Sequence, residues 1–256
     1  MYNTYIINLN RDYDRYVTLK NKLNRIGISP IRYDAIDGRD IPQKYEKDMT
    51  YLSKLFSTDS MKGAGLSHLN LIKEFYKKDP NDYALILEDD AVPLLKSKDE
   101  ISHLAHKYSN YDCIVLYIQG IRYIYGSTAA YIITKKGAGR MMNNKLLPIH
   151  IDMQLWYLSN LKVKNVVVED RLQLFTTDET KSYTRSRKIG DSIFDKIIPI
   201  YGNLYFYDYF EFNLFKLPYI NYDMNGRNCI IIILIFSILL TIIVGGYFLK
   251  DLKLKQ

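Results

Sequence analysis

The chain has 256 residues, 48% of them hydrophobic, and a formal net charge of +7. This length and apolar content suffice for a buried core and exclude global disorder. Residues 227–256 hold four basic residues against one acidic residue, a net of +3, which leaves +4 for the rest without a dense Lys or Arg run. We therefore expect no nucleic-acid partner. Two cysteines, Cys113 and Cys229, are too few for a disulfide framework.

The first part of the chain, to about residue 170, alternates short apolar runs with helical patterns. Residues 5–7 predict a strand. Residues 16–26 place apolar side chains at the spacing of an amphipathic helix, which Gly27 closes. A second strand is predicted at residues 31–35, where apolar and polar side chains alternate.

The second helix is predicted over residues 69–76. It follows a turn of small residues at 63–65 and stops near Asp79-Pro80, and an apolar strand at 83–87 comes next. Further strands are expected at 113–118, 129–133 and 165–168, and further helices near 136–142 and 153–161. Strands that alternate with helices in this way predict an α/β fold with a mostly parallel sheet.

A long apolar run lies near the C-terminus. Residues 229–249 are 21 residues without a charge, dominated by Ile and Leu. As a helix the run would be about 31 Å long, which matches the hydrocarbon core of a bilayer. A buried core helix is the alternative, but the flanking basic residues favour one transmembrane helix, with the lipid membrane as a partner.

The orientation of this predicted anchor depends on two opposed signals. The basic tail favours a cytosolic C-terminus, whereas the missing signal peptide favours a cytosolic N-terminal domain. We expect the latter, because moving a large folded domain across a membrane without a leader is the harder requirement. The predicted organisation is a globular domain at 1–185, an aromatic-rich membrane-proximal segment at 186–227, the transmembrane helix at 228–249 and a basic tail at 250–256.

The aromatic-rich segment holds ten Tyr and Phe residues between positions 201 and 222. Aromatic rings with a polar edge favour the headgroup level of a bilayer, so this segment is expected to lie along the membrane. Completing the core of the globular domain is an equal alternative.

Three consecutive carboxylates, Glu88, Asp89 and Asp90, directly follow the apolar strand at 83–87. Carboxylates this close repel one another and raise one another's pKa values. A divalent cation that prefers hard oxygen ligands, Mn²⁺ or Mg²⁺, would neutralise them. Ligands also bind at the carboxyl ends of strands in open α/β sheets. The alternative is a solvated acidic loop or a helix N-terminus.

Four short segments carry a resemblance to a known family. They are Ile6-Ile7-Asn8-Leu9 with Arg11 and Arg15, Ala35-Ile36-Asp37-Gly38, Gly65-Leu66-Ser67-His68, and Leu85-Ile86-Leu87-Glu88-Asp89-Asp90. In this order they resemble glycosyltransferase family 25, the lipooligosaccharide and procollagen galactosyltransferase-like group. The resemblance extends to the segments at 130–138 and 148–152. It implies a GT-A-like, Rossmann-like nucleotide-sugar-binding domain, a UDP-sugar donor, a divalent metal and inversion at the anomeric carbon.

The resemblance also implies roles for the acidic residues. Asp90 would hold the metal against the donor diphosphate, and Glu88 would touch the metal, its bound water or the ribose. His150 is a candidate third metal ligand or phosphate contact. Inversion needs a base for the acceptor hydroxyl, and Asp152 is expected to serve, with Asp89 as the second candidate. An N-cap role for Asp152 is an equal alternative.

Other residues of the motifs would bind the nucleotide sugar. Asn8, Arg11, Arg15 and Asp37 follow the first two strands, where side chains can reach a nucleotide. Their plainer interpretations are a turn residue, a solvated helix face and a tight turn at Asp37-Gly38. The remaining pair, Ser67 and His68, is expected to begin a helix whose N-terminus receives a phosphate, and the alternative is a structural histidine.

The predicted function is metal-dependent, inverting transfer of a hexose, galactose or glucose, from a UDP-sugar to a hydroxyl of a glycan or protein acceptor. A catalytically silent, membrane-anchored module that binds a nucleotide sugar or a glycan is the alternative. A two-metal phosphohydrolase is disfavoured, because such a site should recruit more ligands than one acidic cluster and four histidines provide.

Overall fold

The structure is a computed structural model that describes residues 2–118 and 127–178, together with the backbone of residues 211–217 and 220–225. The chain divides into two compact units, Met1–Ser186 and Arg187–Gln256. The first unit is an α/β domain with one central sheet.

Six strands form this sheet. They are β1 (Asn3–Asn8), β2 (Pro30–Asp34), β3 (Tyr83–Glu88), β5 (Cys113–Val115), β6 (Ala130–Thr134) and β7 (Val163–Asn165). Their order across the sheet is β2-β1-β3-β6-β5-β7. Of the neighbouring pairs, β2–β1, β1–β3 and β5–β7 are parallel, and β6 is antiparallel to both β3 and β5. The predicted α/β fold with a mostly parallel sheet is confirmed at this level.

A small second sheet lies in the same unit. Strand β4 (Ala91–Pro93) pairs antiparallel with β8 (Phe175–Thr177), and Ala91 lies opposite Thr177. Because β4 begins directly after the three carboxylates, this pairing brings residues near 178 to the acidic cluster. The backbone N–H of Asp178 donates to the carbonyl oxygen of Asp90 at 2.9 Å.

Helices cover both faces of the central sheet. Alternate residues of β3 enter two separate cores, Leu85 and Leu87 in one and Ala84 and Ile86 in the other. A strand buried on both faces is expected to be apolar throughout, as β3 is. The helices are α1 (Tyr13–Asn24), α2 (Tyr51–Phe56), α3 (Asp59–Lys78), α4 (Asp99–Lys107), α5 (Lys135–Arg140), α6 (Ile151–Met153) and α7 (Val166–Glu169), and a π-helical turn (Gln154–Leu158) continues α6.

The predicted first helix is confirmed. Tyr16, Leu19 and Leu23 are buried along one face of α1. Gly27 follows the helix with a positive φ of 81°, which is the left-handed conformation expected of a glycine that closes a helix.

The predicted start of the second helix is wrong. Helix α3 begins at Asp59 behind the cap residue Thr58, so residues 63–65 lie within it. Their small size serves close packing rather than a turn. A Cβ on Gly63 would come within 2.7 Å of the Ile36 carbonyl oxygen and 2.8 Å of the Gly38 nitrogen. Glycine therefore lets the helix touch the backbone that follows β2.

The strand predicted at 165–168 is also wrong. Strand β7 ends at Asn165, whose side chain caps the short helix α7 by accepting a hydrogen bond from the Val168 N–H. The cap overrides the strand preference of the three valines that follow it. Helices α2 and α4 had no counterpart in the sequence prediction.

The second unit contains one described hairpin, β9 (Glu211–Leu217) paired antiparallel with β10 (Ile220–Asn225). It lies within the predicted aromatic-rich segment. The described ranges, 2–118, 127–178, 211–217 and 220–225, contain no helix that could cross a membrane. The predicted transmembrane residues 228–249 lie outside those ranges.

Candidate functional site

The acidic cluster lies at the carboxyl edge of the two central parallel strands. Ile7 of β1 is in register with Glu88, the last residue of β3, and Asp89 and Asp90 follow at once. The sheet therefore presents three carboxylates beside the end of β1. Open parallel sheets bind their ligands at this edge.

Asn8, the last residue of β1, makes hydrogen bonds to several neighbouring segments at this edge. Its side chain is buried and donates to Asp89 Oδ2 at 2.7 Å and to the carbonyl oxygen of Asp12 at 2.9 Å. Its Oδ1 accepts from Arg32 Nε of β2 at 2.9 Å. Asn8 is therefore not a turn residue, because it links β1 and β2 to the acidic cluster.

Arg15 supplies positive charge to the same cluster. It lies in α1, and its Nη2 is 2.6 Å from Asp89 Oδ1 and 3.8 Å from Asp90 Oδ2, with the three side chains only 10–13% exposed. Arg11 lies in the turn before α1 and pairs instead with Asp37. The two arginines thus serve different parts of the edge and do not share one solvated helix face.

Asp89 is held through both of its oxygens, one by Arg15 and the other by Asn8. Burial nevertheless raises the pKa of its carboxyl to about 6. A carboxylate bound on both oxygens is suited to organising its neighbours, and less suited than Asp152 to receiving a proton from a substrate.

Asp90 has the environment expected of a cation ligand. Its Oδ1 is buried and has no hydrogen-bond partner among the described residues. Burial, followed by the charge of Glu88, raises the pKa of its carboxyl to about 7. A buried acceptor without a donor is costly, and a bound cation would remove both the missing contact and the repulsion.

Glu88 is anchored through one oxygen. Its Oε1 accepts from Thr128 Oγ1 at 2.6 Å and lies 3.3 Å from Nε2 of the buried His68. Burial alone would raise the pKa of Glu88, but the hydrogen bonds from His68 and Thr128 outweigh it and lower the pKa. His68 Nδ1 in turn lies 2.9 Å from the hydroxyl of Tyr131, and burial raises the pKa of that phenol well above its ordinary value.

Asp152 lies near enough to Glu88 for the two charges to interact. It is the second residue of α6, whose cap residue is His150, so the alternative of an N-cap role for Asp152 is wrong. Burial, followed by the charge of Glu88, raises the pKa of its carboxyl to about 7, although its Oδ1 accepts from the Met153 N–H at 2.8 Å. A carboxyl that titrates near neutral pH meets a requirement for acid–base chemistry.

Ser67 and His68 do not begin a helix, because they lie in the middle of α3. The prediction that a helix N-terminus receives a phosphate there is therefore wrong. Ser67 is buried, donates to the carbonyl oxygen of Gly63 at 2.7 Å and accepts from the Ile36 N–H at 2.8 Å. Ser67 thus fastens the loop after β2 to α3.

Asp37 lies between two guanidinium groups. It pairs with Arg11 and accepts from Arg39 Nη2 at 2.6 Å and Nε at 3.0 Å. The hydrogen bonds from Arg39, together with the charge of Arg11, lower the pKa of this carboxyl. Arg39 is absent from the motifs that carry the family resemblance, and no sequence pattern pointed to it.

A small pocket, about 30 Å³ in volume, opens beside the acidic cluster. Its lining combines Arg15, Thr18 and Lys22 of α1 with acidic residues, and it includes Asp178. Sequence patterns did not single out Lys22 or Asp178, because their place at the site depends on the packing of α1 and on the pairing of β4 with β8.

Binding of a metal by Asp90 and Glu88 stays a prediction. No group of three or more His, Cys, Asp or Glu side chains that could hold a metal ion occurs within the part of the chain that the structure describes. His150 precedes α6, and its role as a ligand stays a prediction.

Comparisons with known proteins agree with these observations at the level of family. Residues 1–124 match the family model described as glycosyltransferase family 25 (LPS biosynthesis protein). No curated protein matches the sequence.

Several solved structures resemble the fold weakly. They include A197 from STIV (TM-score 0.42, 11% identity, 64% of this chain and 81% of that chain), HddC from Yersinia pseudotuberculosis (0.37, 11%, 64% and 89%) and a mutant Drosophila β-1,4-galactosyltransferase 7 in complex with manganese, UDP-Gal and xylobiose (0.40, 11%, 75% and 78%). At these scores they do not bear on the chemistry of this chain. The family that the sequence matches, over residues 1–124 and so just under half of the chain, is glycosyltransferase family 25.

Proposed function

We propose that this family 25 glycosyltransferase transfers a hexose, galactose or glucose, from a UDP-sugar to the hydroxyl of a glycan or protein acceptor, with inversion at the anomeric carbon and with the help of a divalent cation. The observation that carries the proposal is the buried Oδ1 of Asp90. It has no hydrogen-bond partner among the described residues and lies in a cluster of three carboxylates at the end of β3. The same strand end lies inside the matched region of the family.

The residues at the strand ends fit a cation. Asp90 and Glu88 would hold Mn²⁺ or Mg²⁺, and the bound ion would supply positive charge against the diphosphate of the departing UDP. The pKa of Asp90, raised to about 7 by burial and by Glu88, is consistent with a carboxylate that lacks its counter-charge. Arg15 balances Asp89, at 2.6 Å, more closely than Asp90, at 3.8 Å.

Asp152 is the proposed base. As the acceptor hydroxyl attacks the sugar, its proton has to leave, and a carboxylate with a pKa near 7 can take it at neutral pH. Asp89 is the weaker candidate, since Arg15 and Asn8 occupy its two oxygens. We assign Asp89 the role of aligning the strand ends.

The nucleotide is proposed to lie along the ends of β1 and β2. Asp37 offers acceptors for ribose hydroxyls, and the side chains of Arg11 and Arg39 that flank it are 40% and 65% exposed. Exposed guanidinium groups suit a diphosphate, which they can contact through two parallel hydrogen bonds. This arrangement, a GT-A-like nucleotide-sugar site, supports a donor that carries both a ribose and a diphosphate.

The test is UDP release by the full chain from a panel of UDP-sugars, with and without Mn²⁺, for wild type and Asp90→Asn. We expect one donor to be turned over only with the cation, and the variant to lose that activity, because the amide keeps the shape of the side chain but loses its charge. Asp82→Asn is the matched control. Asp82 is exposed at the opposite end of β3 and should leave turnover unchanged.

Two outcomes would contradict the proposal. If wild type turns over a donor and Asp90→Asn is equally active, the acidic cluster is not the site. If wild type binds UDP in calorimetry but turns over no donor with any acceptor, the chain is a silent nucleotide-sugar-binding module.

A further inference from the structure

Three side chains in contact with one another link the interior of the domain to the acidic cluster. The Tyr131 hydroxyl lies 2.9 Å from His68 Nδ1, and His68 Nε2 lies 3.3 Å from Glu88 Oε1. Tyr131 and His68 are buried, at 0% and 1% exposure. They come from β6 and α3, so only the packing of α3 against the sheet brings them to Glu88.

The ionised carboxylate of Glu88 determines which atoms of these three side chains donate and which accept. An ionised carboxylate only accepts hydrogen bonds, so His68 Nε2 must carry the proton that it shares with Glu88. In the neutral imidazole Nδ1 is then an acceptor, and the Tyr131 hydroxyl donates to it. The expected direction is Tyr131 O–H to His68 Nδ1, and His68 Nε2–H to Glu88 Oε1.

Glu88 does more than pair with His68, because only one of its carboxylate oxygens is held by the described residues. His68 and Thr128 both act on Oε1, whereas no described residue donates to Oε2, and the side chain keeps 32% exposure. One oxygen is thus anchored from inside the protein and the other is left for a ligand. Hydrogen bonds made from the protein interior to a ligating side chain orient the groups that bind metals and substrates.

We propose that Tyr131 and His68 act as a positioning pair for Glu88, in which the Tyr131 hydroxyl holds the ring of His68 in place through Nδ1 and His68 Nε2–H anchors Glu88 Oε1. In this role His68 does not contact the donor itself. The claim that Glu88 binds a ligand rests on the proposed function, whereas the expected tautomer of His68 does not. The two parts can therefore fail separately.

The first test measures the tautomer of His68 by nitrogen-15 NMR of the full chain labelled at histidine. The chain has four histidines, and His68→Gln identifies the resonance of His68. We expect a neutral ring protonated at Nε2 both in wild type and in Tyr131→Phe, with a shifted Nδ1 resonance in the variant, because Nδ1 loses the hydrogen bond from the hydroxyl. A wild-type ring protonated at Nδ1, or an Nδ1 resonance unchanged in Tyr131→Phe, would overturn the proposal.

The second test measures the activation of UDP release by Mn²⁺ in two variants of His68. His68→Ala should raise the Mn²⁺ concentration needed for half-activation by about 10- to 100-fold. His68→Gln should recover most of this loss, because its amide can offer a donor close to the position of Nε2. Equal losses in the two variants would mean that His68 only fills space.

Tyr5→Phe is the matched control for Tyr131→Phe. Its hydroxyl also makes one side-chain hydrogen bond, to Asp79 at 2.6 Å, and Asp79 follows the C-terminal end of α3, away from the acidic cluster. We expect similar losses of thermal stability in both variants, with activation by Mn²⁺ weakened only in Tyr131→Phe. If activation is unaffected in both, the positioning role is wrong. If wild type turns over no donor, the proposed function fails while the tautomer measurement still decides on the pair.

Discussion

Asn8 Nδ2 lies 2.7 Å from Asp89 Oδ2, so the last residue of β1 holds the carboxylate that follows β3. The same amide contacts the backbone of Asp12, and its oxygen binds Arg32. One side chain therefore aligns the ends of three neighbouring segments, which explains why an asparagine lies buried at the end of an apolar strand.

Asn8→Ala should lower the free energy of unfolding by about 1–3 kcal/mol, because buried partners lose their hydrogen bonds. Chemical denaturation measures the change. Asn10→Ala is the control, since exposed Asn10 makes only one described hydrogen bond, to Arg32, at 2.9 Å. Equal costs in the two variants would show that Asn8 does not hold the strand ends.

Arg15→Gln should reduce UDP release at least tenfold, a barrier increase of about 1.4 kcal/mol, because the carboxylates lose a guanidinium group 2.6 Å from Asp89. Arg15→Lys should be intermediate, since an ammonium group lacks the planar fork. Arg25→Gln is the control for the loss of one positive charge, because Arg25 is exposed and lies just beyond α1. Full activity in Arg15→Gln would exclude a role for this ion pair in turnover.

Asp79 should make stability depend on pH at the acidic end. Burial would raise the pKa of its carboxyl, but hydrogen bonds from Tyr5, Asn81 and Asn3 outweigh burial and lower it. A lowered folded-state pKa stabilises the protein above the unfolded-state value, about 3.9, and the contribution is lost as the pH falls through the folded-state pKa. Asp79→Asn should therefore be less stable than wild type at pH 6, and the difference should shrink below about pH 4. Denaturation at several pH values measures this, and a constant difference would contradict the assignment.

Gly38→Ala should destabilise the domain by about 1–3 kcal/mol or more, because the new methyl group meets backbone that cannot move aside. A Cβ on Gly38 would lie 1.6 Å from the Asp59 carbonyl oxygen. Gly27→Ala is the comparison, since its Cβ would meet only the Lys98 side chain, at 3.7 Å. Its cost should come from the positive φ alone, about 1–2 kcal/mol. Melting temperatures that rank Gly27→Ala as the worse variant would contradict this packing.

Attachment to a membrane through residues 228–249 remains a proposal from the sequence, as does a cytosolic globular domain. The full chain should stay with the membrane fraction after alkaline carbonate washing, and a variant lacking residues 228–256 should not. Protease added to sealed vesicles with the cytosolic face outward should digest the globular domain. Protection of the domain would reverse the orientation, and release of the full chain by carbonate would remove the anchor.

The sequence by itself determined the order and type of the main elements. Apolar runs at β1 and β3 predicted buried strands, and the spacing of Tyr16, Leu19 and Leu23 predicted α1. It also determined where the carboxylates would stand, since residues that follow a buried parallel strand emerge at its carboxyl edge. These features depend on local periodicity, which needs no knowledge of distant contacts.

Only the tertiary structure decided which side chains meet. The glycines of α3 looked like a turn because small residues favour both turns and close packing, and only the backbone of Gly38 pressed against Gly63 separates the two. The role of His68 follows only from its contacts with Tyr131 and Glu88, which are 63 and 20 positions away in the sequence. Contacts between such distant residues depend on how α3 and β6 pack on the sheet, and local sequence patterns carry no record of that packing.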